Sequence, residues 1–268
     1  MSGTNQVTII GNVGTDVEVK NFQNGGSVAN YAVATNQNYT DAAGQRLQKT
    51  EWHRIAIFNP GLVRVAQEKL KKGTKVEITG QLETRKWQDQ QGNTRYSTEV
   101  ALRPYAGSLD ILPEGSSGSV NEAVIRGNLG QDPDIRQLPN GGRVANLSIA
   151  VNDVYRDKQS GELKERTEWV RVTVFNKVLV DLAEKALAKG SQVRVRGRVE
   201  TRKWQDQAGN TRYSTEVVLA PYGAEMTIIS GKKDEPQAET QGETLGEIQG
   251  AGQYNDAGFG GVEDEIPF

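Results

Sequence analysis

The sequence predicts an all-β protein with one short helix per repeat: two tandem five-stranded barrels followed by an acidic tail expected to be disordered. Three observations carry this expectation. The chain contains an internal duplication, each copy runs through short β-patterned stretches between glycine-rich turns, and its charges are segregated toward one end. Its 268 residues suffice for two ordinary domains, each able to bury a core without disulfides or metal.

The duplication is the firmest of the three. Thr84 to Val100 reads TRKWQDQQGNTRYSTEV and Thr201 to Val217 reads TRKWQDQAGNTRYSTEV, so 16 of 17 positions agree at an offset of 117. Upstream, Gly11-Asn12-Val13-Gly14 pairs with Gly127-Asn128-Leu129-Gly130 and Asn24-Gly25-Gly26 with Asn140-Gly141-Gly142, both at an offset of 116. One residue was therefore gained or lost between Tyr39 and Gly44, or between Tyr155 and Gly161, in a loop where length changes are tolerated. A period this long is a duplicated domain and not a solenoid.

In the first copy, Val7 to Gly11, Val28 to Thr35, Glu51 to Phe58, Lys75 to Thr84 and Thr94 to Leu102 are β-branched or alternating, which predicts five strands. Between the third and fourth, Leu62, Val65, Ala66 and Leu70 recur at helical spacing, and Lys71-Lys72-Gly73 supplies a cationic last turn and a glycine stop. The second copy repeats the helix with Val178, Leu179, Leu182, Ala183 and Leu187, then Lys189-Gly190. Five strands with a helix between the third and fourth is the order of an OB-fold barrel. Residues 88–93 and 205–210 then become the tips of long hairpins. Composition places a first OB-fold at 1–106, a Gly/Ser-rich linker at 107–119, a second OB-fold at 120–230 and the tail at 231–268.

Charge and composition exclude several function classes. The chain has no cysteine, which removes disulfides, thiolate zinc sites and a cysteine nucleophile and fits a reducing cytoplasm. No run of about 18 apolar residues occurs and the first ten residues are polar, so a soluble, unexported protein with no membrane partner is expected. The net charge of -2 hides an asymmetry: the tail carries nine acids against Lys232 and Lys233, leaving 30 basic and 25 acidic residues in the body. A body of about +5 suits an anionic partner.

Single-stranded nucleic acid presents unstacked bases and a phosphate backbone, so its binder needs aromatic faces interleaved with cations. Both copies supply them. Tyr39, Trp52, Phe58 and Trp87 correspond to Tyr155, Trp169, Phe175 and Trp204, and Arg54, Arg85, Lys86 and Arg95 to Arg171, Arg202, Lys203 and Arg212. Trp87 and Trp204 each follow an Arg-Lys pair and precede a polar hairpin, a poor setting for a core residue. Trp52, Arg54 and Phe58 are evenly spaced and share one strand face if the strand is unbroken. Core filling is the competing explanation for Trp52, Phe58 and their counterparts, and it is stronger for Phe58 and Phe175 than for Trp87 and Trp204.

These segments resemble the bacterial single-stranded DNA-binding proteins. The second copy carries the likeness in GNLGQDPDIR (Gly127 to Arg136), PNGGRVANLSIA (Pro139 to Ala150), TEW (Thr167 to Trp169), KGSQVRVRG (Lys189 to Gly197) and TRKWQDQAGNTRYSTEVV (Thr201 to Val218). EDEIPF at Glu263 to Phe268 resembles the family's acidic tip. The resemblance implies stacking by the eight aromatics above, with tyrosine at 39 and 155 where tryptophan is common. It implies backbone contacts from Arg171, Lys177, Lys189, Arg202, Lys203 and Arg212, and from Arg54, Lys72, Arg85, Lys86 and Arg95. Pro60 stands opposite Lys177, and His53 opposite Val170. It further implies protection of single strands in replication, recombination and repair, a cytoplasmic, nucleoid-associated location, and no cofactor. The family usually has one OB-fold per chain in a tetramer, so two folds per chain imply a homodimer giving four. The tip, Glu263, Asp264, Glu265, Ile266, Pro267 and Phe268, would recruit replication, recombination and repair proteins by setting an apolar anchor beside carboxylates. The same tail is expected to compete with DNA for the basic grooves.

Two other classes remain in view. A nuclease needs metal ligands or a general base, and His53 is the only histidine, without a counterpart in the second copy. Glu99 and Glu216 are expected to be solvated. A protein or RNA scaffold on the same fold is not excluded by fold alone.

Overall fold

The computed structural model describes residues 3–22, 25–40, 44–88, 92, 94–104, 106–139, 141–156, 161–205 and 211–231. The side chains of Thr94, Arg95, Tyr155, Arg156 and Arg212 lie outside that description, as does the tail from 232 to 268.

The first repeat contains β1 (Thr4–Val13), β2 (Glu18–Asn21), β3 (Ser27–Thr40), β4 (Arg46–Ile57), α1 (Pro60–Lys69), β5 (Lys75–Gln88), β6 (Thr94–Leu102) and β7 (Ser108–Ile111). The second repeats the series as β8 (Val120–Leu129), β9 (Asp134–Gln137), β10 (Arg143–Arg156), β11 (Leu163–Val174), α2 (Lys177–Ala186), β12 (Gln192–Gln205), β13 (Thr211–Leu219) and β14 (Glu225–Ser230). In each, the five long strands close on themselves: β1 pairs with β3, β3 with β4, β4 in parallel with β6, β6 with β5, and β5 with β1 again. This is the expected five-stranded barrel, with β2 and β9 as short additions on β3 and β10.

Closure follows from alternation. Val7, Ile9, Val33, Ile55, Ile57, Ile78 and Leu102 point inward and are fully buried, each worth about 1.5–3 kcal/mol of hydrophobic stabilisation. The helices plug the barrel ends through Val63 and Ala66, and through Val180 and Ala183. Asn59 caps α1 by accepting from the Gly61 and Leu62 amides, and Asn176 caps α2 from Leu179. Gly73 and Gly190 reverse the chain after each helix at φ of 90° and 87°, where a side chain would be strained. Val178, expected on the buried face, is 73% exposed. Asn176 starts α2 so that Val180 faces the core in its place.

The two barrels form one sheet. β1 runs antiparallel to β8 from Thr4↔Arg126 to Ile10↔Val120, centred on Val7↔Ala123. Crossed contacts repeat with two-fold logic: Arg166 reaches Glu83 at 2.9 Å and Lys49 reaches Glu200 at 2.6 Å. The Thr84 amide donates to Glu168 and the Thr201 amide to Glu51.

The segment expected to be a linker is partly structured. Ser108–Ile111 is β7, paired with β5 from Thr79↔Ser108 to Val76↔Ile111 and burying Leu109, so the first barrel's sheet extends past residue 106. β14 does the same on β12. Beyond β7 the chain stays fastened, with Ser119 Oγ accepting from the Asn36 amide at 3.2 Å. A four-residue strand beside a Gly/Ser run is hidden by average composition. Among the described residues no helix is long and apolar enough to cross a membrane.

Candidate nucleic-acid interface

Strand alternation brings several of the expected residues onto one outer face of each barrel. On β4, Trp52 and Arg54 point outward while His53 and Ile55 point in. On β5, Glu83, Arg85 and Trp87 share a face and lie opposite Glu99, Ser97 and Arg95 of β6. Arg54 Nη1 donates to Ser97 Oγ at 2.6 Å, tying β4 to that face, and Arg171 does the same to Ser214 at 3.2 Å. Phe58 sits just past β4 with its amide on Leu102 O, and Phe175 likewise on Leu219 O.

Trp52 and Trp169 are 41% and 54% exposed, so both rings present surface to solvent. Each lies over a glycine: a Cβ added at Gly14 or Gly130 would collide with the tryptophan ring. Gly14 and Gly130 were legible only as repeated glycines, and the structure gives the reason. They let the ring approach the backbone where a Cβ would otherwise stand. Gly73 N donates to Val13 O and Gly190 N to Leu129 O, which brings the turns holding Lys72 and Lys189 next to these rings. Lys72 pairs with Asp16 at 3.2 Å, while the Lys189 amide donates to Asp132.

Trp87 and Trp204 are half-buried at the outer ends of β5 and β12, flanked by exposed Lys86 and Gln88, and by Lys203 and Gln205. They are not sealed in the barrels. Arg85 and Arg202 are exposed, 3.7 Å from Glu99 and 3.5 Å from Glu216. Tyr39 is exposed near the tip of the β3–β4 hairpin, and Lys177 is exposed at the start of α2. Tyr155, Arg95 and Arg212 have their backbones in β10, β6 and β13, but their side chains lie outside the described residues. So does the whole tip, Glu263 to Phe268.

One expectation is corrected here. Glu99 and Glu216 are buried, not solvated, each directly across the ladder from another buried or half-buried glutamate, Glu83 or Glu200. Burial pushes the Glu99 carboxyl above its usual range, with Arg85 opposing. Lys86 does not share a face with Trp87: it points the other way, into a groove of about 480 Å³ that also holds Tyr96 of the first repeat and Trp169 and Arg171 of the second. The groove is composite, which strand spacing within one repeat does not reveal. Its two-fold counterpart at Trp52, Arg54, Val199 and Thr201 encloses only about 20 Å³.

The model of the single-strand binding protein family matches residues 4–106 and again 120–226, more than half of the chain. The chain belongs to that family. Among solved structures, a deletion variant of the single-stranded DNA-binding protein from Thermus aquaticus is similar, with a TM-score of 0.64 and 25% identity over 89% of this chain and 99% of that one. The wild-type Thermus aquaticus protein gives 0.63 and 23%, over 94% and 98%. The tandem arrangement expected from the duplication is therefore a fold this family uses. Within the family framework, the exposed tryptophans, their glycine seats and the nearby guanidiniums form an open, cationic, aromatic surface suited to an unpaired polynucleotide.

Proposed function

We propose that this member of the single-strand binding family binds single-stranded DNA without regard to sequence, by base stacking and phosphate neutralisation, and performs no catalysis. The observation that carries the reading is the pairing of an outward tryptophan with an arginine two residues on, seated over a glycine, in both barrels: Trp52 and Arg54, Trp169 and Arg171. Stacking is worth about 1–3 kcal/mol per base and tolerates any base. The basic residues Arg85, Arg202, Lys86 and Lys203 are exposed and would lie along the phosphates.

Titrating the protein with oligo-dT of graded length, following tryptophan fluorescence at several salt concentrations, tests this. Quenching that saturates at a defined length, with affinity falling as salt rises, is expected. No quenching would favour a scaffold for proteins. Cleavage of labelled strands with magnesium or manganese would favour the nuclease.

The finer reading is that the protein coats single strands during replication, recombination and repair at the nucleoid, and that Glu263 to Phe268 recruits partner proteins. Four barrels from a homodimer would give a native mass about twice the 29.3 kDa chain by light scattering. A monomer at micromolar concentration refutes that. Removing residues 231–268 is expected to tighten DNA binding at low salt.

A further inference from the structure

In each repeat one glutamate takes two cations, and the second cation comes from different places. Glu83 on β5 accepts from Arg166 Nη2 of the other repeat at 2.9 Å, and from Arg103 of its own through Nε at 3.1 and 3.2 Å and Nη2 at 2.6 Å. Its counterpart Glu200 on β12 is reached by Lys49 of the other repeat at 2.6 Å and by Arg198, two residues earlier on its own strand. Ala220 stands at the position of Arg103 in the second repeat, and Gln81 at the position of Arg198 in the first. The same charge balance is met by two routes.

The route taken in the first repeat covers a ring. Arg103, held in a fork by Glu83, lies with its guanidinium carbon 3.9 Å from the centroid of Phe58. Phe58 is half-buried, whereas Phe175, beside Ala220, is 40% exposed. A guanidinium plane over an aromatic face fills the volume a stacked base would take. Moving it away removes one partner from a buried carboxylate. Burial pushes the Glu83 carboxyl up, but the hydrogen bonds from Arg103 and Arg166 outweigh it and hold the group below its usual range, so it is an anion that uses both cations.

We propose that Arg103, pinned by Glu83, closes the Phe58 ring to bases, making the second repeat the stronger single-strand site and the first a weaker one. This rests on the single-strand-binding reading above. Three further differences point the same way: the wider groove at Trp169, the greater exposure of Trp169 than Trp52, and Lys177 where the first repeat has Pro60.

The test is calorimetric titration of the full chain with oligo-dT of about ten nucleotides, within the span of one OB-fold. Two classes of site per chain, differing about tenfold, are expected. The double variant Gln81→Arg/Arg103→Ala moves the second cation of Glu83 onto its own strand, as in the second repeat, and is expected to tighten the weaker class by about five- to tenfold. The reverse pair, Arg198→Gln/Ala220→Arg, is expected to loosen the tighter class by a similar factor. A single class in the parent chain, or a weaker class left unmoved by the first variant, overturns the proposal. Should the first variant fail to fold, an unmoved tight class in the reverse pair overturns it instead. Absence of any binding by the parent chain sinks the single-strand-binding reading itself, whereas binding with unaltered site classes sinks only the role of Arg103.

Discussion

The two barrels share nearly identical hairpins, yet their outer surfaces are not alike. In the second, Phe175 is exposed and the Trp169 groove is open to about 480 Å³; in the first, Phe58 lies under Arg103 and the corresponding space is about 20 Å³. The residues that create the difference are not the aromatic ones, which are duplicated, but unduplicated neighbours such as Arg103 against Ala220. A binding platform is thus defined as much by what covers a ring as by the ring itself.

The comparison is sharpest at His53, buried and bonded to Thr35 where the second barrel has Val170. Burial lowers its pKa from 6.5 to about 4, so between those values the unfolded chain binds a proton that the folded chain refuses. Stability contributed by neutral His53 is present above pH 6.5 and is lost as pH falls toward 4, about 3 kcal/mol in all. Denaturant unfolding at pH 7 and pH 4.5 should show that loss, and His53→Val should abolish most of it. An equal acid loss in the variant would mean that carboxylates, not this imidazole, set the acid limit.

A second difference lies in the tryptophans. Replacing Trp169 by alanine should weaken oligo-dT binding by about 2–3 kcal/mol and replacing Trp52 by about 1 kcal/mol, measured by fluorescence anisotropy. Equal losses would erase the inequality of the halves. Gly130→Ala and Gly14→Ala act one step removed, lifting the ring from its seat. Each is expected to cost about 1 kcal/mol of binding with a change in tryptophan emission. Unchanged emission and affinity would show that the glycine seat is dispensable. The smallest effect concerns Lys86: loss of this cation from the wide groove should flatten the dependence of log affinity on log salt by about 0.7, one phosphate contact on a single strand. An unchanged slope would remove Lys86 from the DNA path.

Much of this was legible beforehand because it rests on local pattern. Alternation at β4 places Trp52 and Arg54 outside and Ile55 inside, and no tertiary contact overrides it. Other features escaped because they depend on partners far along the chain. Glu99 looks like any strand carboxylate until β5 sets Glu83 across from it and the barrel closes around both. Lys86 belongs to Trp169 only because the crossed packing of the repeats turns one face of β5 toward the other barrel.

By itself the sequence determined two closed barrels, their helices and the rings and cations on their outer strands, since periodicity and turn chemistry act within a few residues. Tertiary structure decided which of those rings are open, which acids are buried and which cation serves which groove. Those outcomes depend on residues distant in sequence, within one barrel as with Arg103 over Phe58, or across the β1–β8 seam as with Arg166 on Glu83, where a charge goes to whichever buried partner lies within reach.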